Sequence, residues 1–192
     1  MQRQVVVIAG PSGSGKNTIL EELLKRSNNC ARLVTATTRK PRDGERDGVD
    51  YHFISIEEFK RGLEEGLIPE HRFVPALGTY YGIYLPNLDK QLASGRVVLA
   101  QVDIVGARLL KERYGATTIF IVPVSLDEFA RRIRARNPDL SEAEFAERMR
   151  IARTEMDEHA FEYDYRVVNA DGKLKDAVDE VVAILKKEGY TL

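Results

Sequence analysis

A chain of 192 residues, 43% hydrophobic and 31% charged, is long enough to bury one good core and reads as a single globular domain. Its formal net charge of -1 carries no general polyanion-binding signal, so nucleic acid is not an expected partner. The single cysteine, Cys30, excludes an internal disulfide and a cysteine-based metal site, and no apolar stretch approaches the roughly 20 residues of a membrane span. No signal or transit pattern precedes the first strand, and no repeat or low-complexity segment interrupts the chain, so a cytoplasmic protein is expected.

The apolar run Val5 to Ala9 reads as a buried strand, and Leu20, Leu23 and Leu24 give a following helix its apolar stripe. Between them lies Gly10-Pro-Ser-Gly-Ser-Gly-Lys16. Its spacing is that of a phosphate-binding loop: glycines let successive N–H groups turn toward one anion, the helix start adds partial positive charge, and the lysine reaches the terminal phosphates of a nucleoside triphosphate. One letter departs. The residue after the lysine is expected to be Ser or Thr, whose hydroxyl holds Mg²⁺, and here it is Asn17. An amide oxygen is still a hard donor suited to that ion, whereas Thr18 points about 100° away around the helix.

Residues 32 to 37 read as a second strand, followed by a polar loop, 37 to 48, with Arg39 and Arg42 three apart. Such a loop is either a solvated surface turn or an anion site, since guanidinium forks match phosphate oxygens. Residues 51 to 55 form a short strand, and Ser55 with Glu58 forms a capping box for a short helix ending near Gly66. Residues 68 to 74 and 79 to 84 suggest two more strands, with Thr79, Tyr81 and Ile83 on one face and Tyr80 and Gly82 on the other. A tyrosine pair there serves packing or presents a hydroxyl to a ligand.

The core then resumes: a helix from Asn87 to Ala93, a strand from Arg96 ending in Asp103, a helix from Val105 to Arg113, and a strand from Thr117 to Val122 stopped by Pro123. Near-continuous apolar strands alternating with helices predict a parallel α/β sheet covered on both faces, with ligands at the carboxyl ends of its strands. Asp103 falls there, as a Mg²⁺, water or substrate ligand or simply as a helix cap. Ser125 to Arg136 and the helix capped by Ser141 carry Arg131, Arg132, Arg134, Arg136, Arg148 and Arg153; Phe145, Met149, Ala152, Met156 and Ala160 form an apolar stripe on the second. These arginines form either solvated ion pairs or a mobile lid that neutralises a phosphoryl group in flight. A strand from Tyr165 to Asn169 and an amphipathic helix from Lys173 to Lys187 complete the sheet and its cover.

With its motifs in order, nearly the whole chain resembles the guanylate kinase family. The resemblance rests on Gly10 to Lys16, on Thr37-Thr-Arg-Lys-Pro-Arg-Asp-Gly-Glu45 with Asp47-Gly-Val-Asp-Tyr51, on Gly78-Thr-Tyr-Tyr-Gly82, on the arginine-lined lid, and on Val168-Asn-Ala-Asp171. It implies a P-loop NTPase-type core (1–34, 85–135 and 148–192), a small mixed monophosphate-binding insert (35–84) and a helical lid (about 136–147). It further implies ATP-dependent phosphoryl transfer to GMP and dGMP with Mg²⁺. ATP would lie on Gly10, Ser12, Gly13, Ser14, Gly15, Lys16, Asn17 and Thr18, with Asn169 near its adenine. Arg39, Arg42, Tyr51 and Tyr81 would bind the GMP phosphate, Glu70 and Thr35 the guanine edge, with Asp103 beside the acceptor. Lys16, Arg132, Arg136 and Arg148 would surround the transferred phosphoryl. Asn17, Ile83 in place of a Ser or Thr, Gln101 in place of an acid, and about two extra residues between Glu70 and Gly78 depart from the family pattern. A kinase for another nucleotide or a sugar phosphate, or a non-catalytic phosphopeptide-binding module, are the alternatives on the same scaffold.

Overall fold

The computed structural model describes residues 3–75 and 78–192, and the backbone alone of Arg136. In chain order its elements begin with β1 (Val5–Ala9), α1 (Lys16–Arg26), β2 (Cys30–Arg32), β3 (Ala36–Thr37), β4 (His52–Phe53) and α2 (Ile56–Glu64). Then come β5 (His71–Val74), β6 (Thr79–Gly82), α3 (Leu85–Ala93), β7 (Val97–Ala100), α4 (Ile104–Tyr114) and β8 (Thr117–Val122). The chain closes with α5 (Leu126–Arg136), α6 (Glu142–Thr154), β9 (Tyr165–Val168) and α7 (Leu174–Lys187).

The central sheet is parallel, five-stranded and ordered β2-β7-β1-β8-β9. Every residue of β1 is buried, which is why its sequence is apolar without alternation. Val6 and Ile8 face one layer, with Ile19, Leu20 and Leu23 of α1 and Val178, Val181 and Leu185 of α7. Val5, Val7 and Ala9 face the other, with Leu88 of α3 and Ala107 and Leu110 of α4. The carboxyl ends of β1, β7, β8 and β9 therefore share one edge, on which the glycine-rich loop, Asp103 and Asn169 lie.

The expected strand over residues 32 to 37 is two strands in two sheets. Cys30–Arg32 pairs with β7, and Leu33 N–H still donates to Leu99 O at 2.9 Å. Val34 N–H then turns to the Asn87 side chain at 3.1 Å, and Ala36–Thr37 joins a second, mixed sheet ordered β4-β3-β6-β5. Alternating apolar residues look the same on both sides of such a crossing, so the pattern hides it. Ala36, Phe59 and Ile68 form the small core of this insert. Its helix α2 carries the anticipated reciprocal capping box between Ser55 and Glu58.

Met149 and Met156 pack with Phe145 against Phe129, Ile133 and Ala152, joining α5 to α6. The helix that the sequence extends toward Ala160 is α-helical only to Thr154. It widens into a π-helical turn over Glu155–His159 and tightens to a 3₁₀ turn over Ala160–Glu162. Wide turns of this kind re-aim side chains inside a helix.

Candidate active site

The loop between β1 and α1 is shaped by three glycines with φ of 136° (Gly10), 104° (Gly13) and 91° (Gly15), a region that side chains rarely occupy. A Cβ on Gly10 would stand 2.3 Å from the Ile121 carbonyl oxygen, and one on Gly15 would stand 2.2 Å from Asn169 Nδ2. Asn169, buried at the end of β9, donates through Nδ2 to the Ser14 carbonyl at 2.8 Å, so a distant strand holds the loop. Lys16 Nζ donates to the Pro11 carbonyl at 2.8 Å. Ser14 is fully buried and its hydroxyl has no hydrogen-bond partner among the described residues. Ser12, Asn17 and Thr18 are exposed, the last two on the first turn of α1.

The insert presents a second cationic site. Arg39 Nη1 and Nη2 donate to the two carboxylate oxygens of Glu45 at 2.9 Å each, and Nη1 also reaches the Lys40 carbonyl at 2.7 Å. Its Nε is buried without a partner among the described residues, and its guanidinium carbon lies 5.5 Å from the Tyr51 ring and 5.6 Å from the Phe53 ring. Glu45 also accepts from Arg42 N–H at 2.7 Å. Its carboxyl is held down at about 2, first by the Arg39 pairing and then by the Arg42 amide. The end-on fork of Arg39 is thus occupied, and its Nε edge remains for an anion. Arg42 itself is exposed.

The tyrosine pair divides between the two faces of the insert sheet. Tyr80 packs on Phe59 and Phe73, with ring centroids at 5.4 and 4.7 Å. Tyr81 turns the other way, edge-on to Tyr51 at 5.9 Å. Glu70 accepts from Ile83 N–H at 3.0 Å, and its pKa is pushed up to about 7, by burial above all, with the Asp103 charge adding to it. Thr35 gives its carbonyl to His52 N–H at 2.8 Å.

Between the insert and the glycine loop lies a cleft of about 270 Å³, lined by Gly10, Arg72, Asp103, Arg150, Glu155 and His159 among others. Asp103 caps α4, accepting from Val105 N–H at 3.1 Å and Gly106 N–H at 3.2 Å, and borders the cleft at the same time. Glu155, His159 and Arg72 are absent from the sequence reading: the π-helical turn that aims the first two has no pattern of its own, and the only signal for Arg72 was its two-residue spacing from Glu70 along a strand. Of the lid arginines, Arg132 is tied to Glu128, to Asp171 at 2.6 Å and to the Asn169 carbonyl at 2.8 Å. Arg148 is exposed on α6, and the Arg136 side chain lies outside the described residues. Arg134 pairs with Glu142 at 2.8 Å and covers the Phe145 ring at 4.0 Å.

A family model described as guanylate kinase matches residues 2–188. The chain belongs to the guanylate kinase family. A guanylate kinase of Wolbachia sp. subsp. Brugia malayi is 41% identical over 186 residues, covering 96% of this chain and 92% of that protein. A guanylate kinase of Chlorobaculum tepidum is 40% identical over 185 residues, covering 95% and 93%. The crystal structure of a guanylate kinase from Anaplasma phagocytophilum superposes with a TM-score of 0.74 at 31% identity, over 99% of this chain and 88% of that one.

Within this family the departures acquire positions. The pairing of β5 with β6 runs unbroken from His71↔Gly82 to Val74↔Thr79, and residues 76 and 77 of the connection lie outside the described ones. Glu70 is accordingly in step with Ile83. The Ile83 side chain is fully buried in the main core. Gln101 Oε1 is buried with no partner among the described residues.

Proposed function

We propose that this protein transfers the γ-phosphoryl group of ATP to GMP, and to dGMP, giving GDP or dGDP and ADP. The observation that carries the reading is a cleft with Gly10 of the glycine loop on the core side and Arg72 of the insert on the other, the Arg39, Tyr51 and Tyr81 cluster lying on the face of the insert sheet that Arg72 shares. Arg39, Arg42, Tyr51 and Tyr81 hold the acceptor phosphate. Glu70 accepts from guanine N1–H and N2–H₂, and Thr35 contacts the same edge. The loop amides from Gly10 to Thr18 hold the ATP phosphates, and Asn169 fixes the loop. A nonbridging oxygen of the GMP phosphate forms its bond to the γ-phosphorus as the bond from that phosphorus to the β,γ-bridging oxygen breaks. No protein nucleophile is required, and the side chains contribute position and positive charge. Lys16 neutralises the terminal phosphates, Arg136 and Arg148 are lid cations for the moving group, and Arg132 joins them by exchanging its bonds to Glu128 and Asp171 for phosphoryl oxygens.

Among the described residues no three His, Cys, Asp or Glu side chains converge as a metal cage, which fits an ion that draws its ligands chiefly from phosphate oxygens and water. Asn17 and Asp103 offer the oxygen donors for Mg²⁺, which when bound offsets the charge of the β- and γ-phosphates.

ADP release measured with GMP, dGMP, AMP, CMP, UMP and sugar phosphates tests the reading. GMP turnover well above the rest is expected. Preference for another acceptor would make this a different small-molecule kinase, and a folded protein that turns over none would be a binding module.

Glu70 adds a pH signature. A carboxyl whose folded-state pKa is raised from 4.5 to about 7 binds its proton more tightly folded than unfolded. Its contribution to stability is therefore present in acid and is lost as pH climbs through that window. Guanine requires the ionised form, so kcat/KM for GMP rises with pH through about 7. Glu70→Gln flattens that limb and lowers kcat/KM at neutral pH by about tenfold or more, the scale of one charge-assisted hydrogen bond. An unchanged profile in the variant would remove Glu70 from the base site.

A further inference from the structure

We propose that Arg72 is a further phosphate-contacting residue of this kinase, placing its guanidinium on the phosphate at the junction of the acceptor clamp and the glycine loop. The proposal rests on the kinase reading above and adds a cation that none of the expected motifs contains.

The strand register sets its direction. In the antiparallel pairing of β5 with β6, Arg72 stands opposite Tyr81 and Phe73 opposite Tyr80. Directly opposed residues share a face, and neighbours along a strand alternate. Phe73, His71 and Tyr80 occupy the face that packs on Phe59, with His71 and Tyr80 at 5.7 Å and Phe59 and Tyr80 at 5.4 Å. Arg72 therefore shares the face of Tyr81, where Tyr51 and Arg39 form the anion site.

Its reach then crosses the cleft. Arg72 lines the same cavity as Gly10 of the loop and Asp103 at the end of β7. On the far wall, burial raises the pKa of Glu155 while Lys16 and Arg72, in that order, act against it, so both cations project their charge onto one region. Among the described residues the Arg72 side chain makes no hydrogen bond or ion pair, while its backbone pairs with Tyr81. Arg39, Arg108, Arg131, Arg132, Arg134 and Arg150 are each tied to a carboxylate. An unpaired guanidinium between two phosphate sites has its planar donor fork available for ligand oxygens.

The register also decides which end of the acceptor it meets. Glu70 is in step with Ile83, and Arg72 with Tyr81. Two residues of strand advance about 7 Å, so the guanine end lies at Glu70 and the phosphate end at Arg72. Arg72 thus affects every guanine nucleotide acceptor alike and leaves base selection to Glu70.

Arg72→Met and Arg72→Lys are compared with wild type for kcat and KM with GMP, dGMP, AMP and ATP, alongside thermal midpoints. Wild-type GMP turnover establishes the kinase reading first, and its absence defeats that reading whatever Arg72 does. Given it, Arg72→Met is expected to lower kcat/KM for GMP and dGMP equally, by about a hundredfold, the effect of one lost donor to transition-state charge, with KM for ATP unchanged. Arg72→Lys, which keeps the charge and loses the fork, recovers part of the loss. Values for Arg72→Met within twofold of wild type overturn the proposal. So does a loss confined to discrimination between GMP and AMP, which would make Arg72 a base reader. A lowered thermal midpoint in Arg72→Met with wild-type kinetics in Arg72→Lys also overturns it, since only packing would then be at stake.

Discussion

Lys16→Met will lower kcat by about a thousandfold, close to 4 kcal/mol of transition-state stabilisation, while moving the thermal midpoint little. The ammonium donates from Nζ to the Pro11 carbonyl at 2.8 Å. That carbonyl also accepts from Ser14 N–H at 3.1 Å, so removing the lysine does not orphan it. The glycines, Asn169 and the strand-to-helix turn all remain, and ATP still finds the loop amides. What is lost is positive charge where the β- and γ-phosphates carry most of the negative charge. Single-turnover measurement of ADP formation, with unfolding followed in parallel, separates the two effects. A variant retaining more than a tenth of the wild-type kcat would show that the loop works without its lysine.

Arg39→Met will reduce kcat/KM for GMP by about a hundredfold, the scale of about 3 kcal/mol for a charged clamp. The rise in KM for GMP carries most of it, and KM for ATP stays put. Arg39 is the hub of the proposed acceptor site: Glu45 grips both terminal nitrogens, the Tyr51 and Phe53 rings lie beside the guanidinium, and Nε is buried without a partner among the described residues. Arg39→Lys keeps the charge without the fork and should fall between the two. There is an independent readout in the loop itself. Pairing holds the Glu45 carboxyl at about 2 against an ordinary 4.5. That contribution to stability is present above 4.5 and fades as pH falls toward 2. Acid unfolding of Arg39→Met should lose most of this component and keep only the part due to the Arg42 amide, and an unaltered acid transition would show that the pairing contributes nothing in solution.

The two expectations differ in how far each could be read in advance. Gly10, Gly15 and Lys16 are close in sequence, between a strand and a helix that both announce themselves by composition, so local geometry alone makes the phosphate loop legible. Arg39, Tyr51 and Tyr81 are far apart in sequence, and no periodicity joins them. Their common role came from resemblance to a family, and their meeting came from the β3-β6 and β3-β4 pairings.

Asp103 caps α4 through Oδ1 and also borders the cleft, so the capping reading of the sequence leaves the ligand reading open to the proposed function. Met149 of α6 and Met156 of the π-helical turn pack, half-buried, against Phe129 and Ile133, because their helical spacing matched a stripe that a neighbouring helix could cover.

The sequence by itself determined the buried parallel sheet, the helices and their caps, the glycine loop, and membership of a phosphotransferase scaffold, because each depends on neighbours within a few turns or pleats. Tertiary structure alone decided that residues 32 to 37 cross between two sheets, that Tyr80 packs on Phe59 while Tyr81 meets Tyr51, and that Asn169 pins the loop. It also decided that Arg132 is tied beside Asn169 and that Arg72 faces Glu155 across the cleft. These facts depend on strand register and on contacts over long stretches of chain, where a one-residue slip would exchange the two faces and leave the amino-acid pattern as it was.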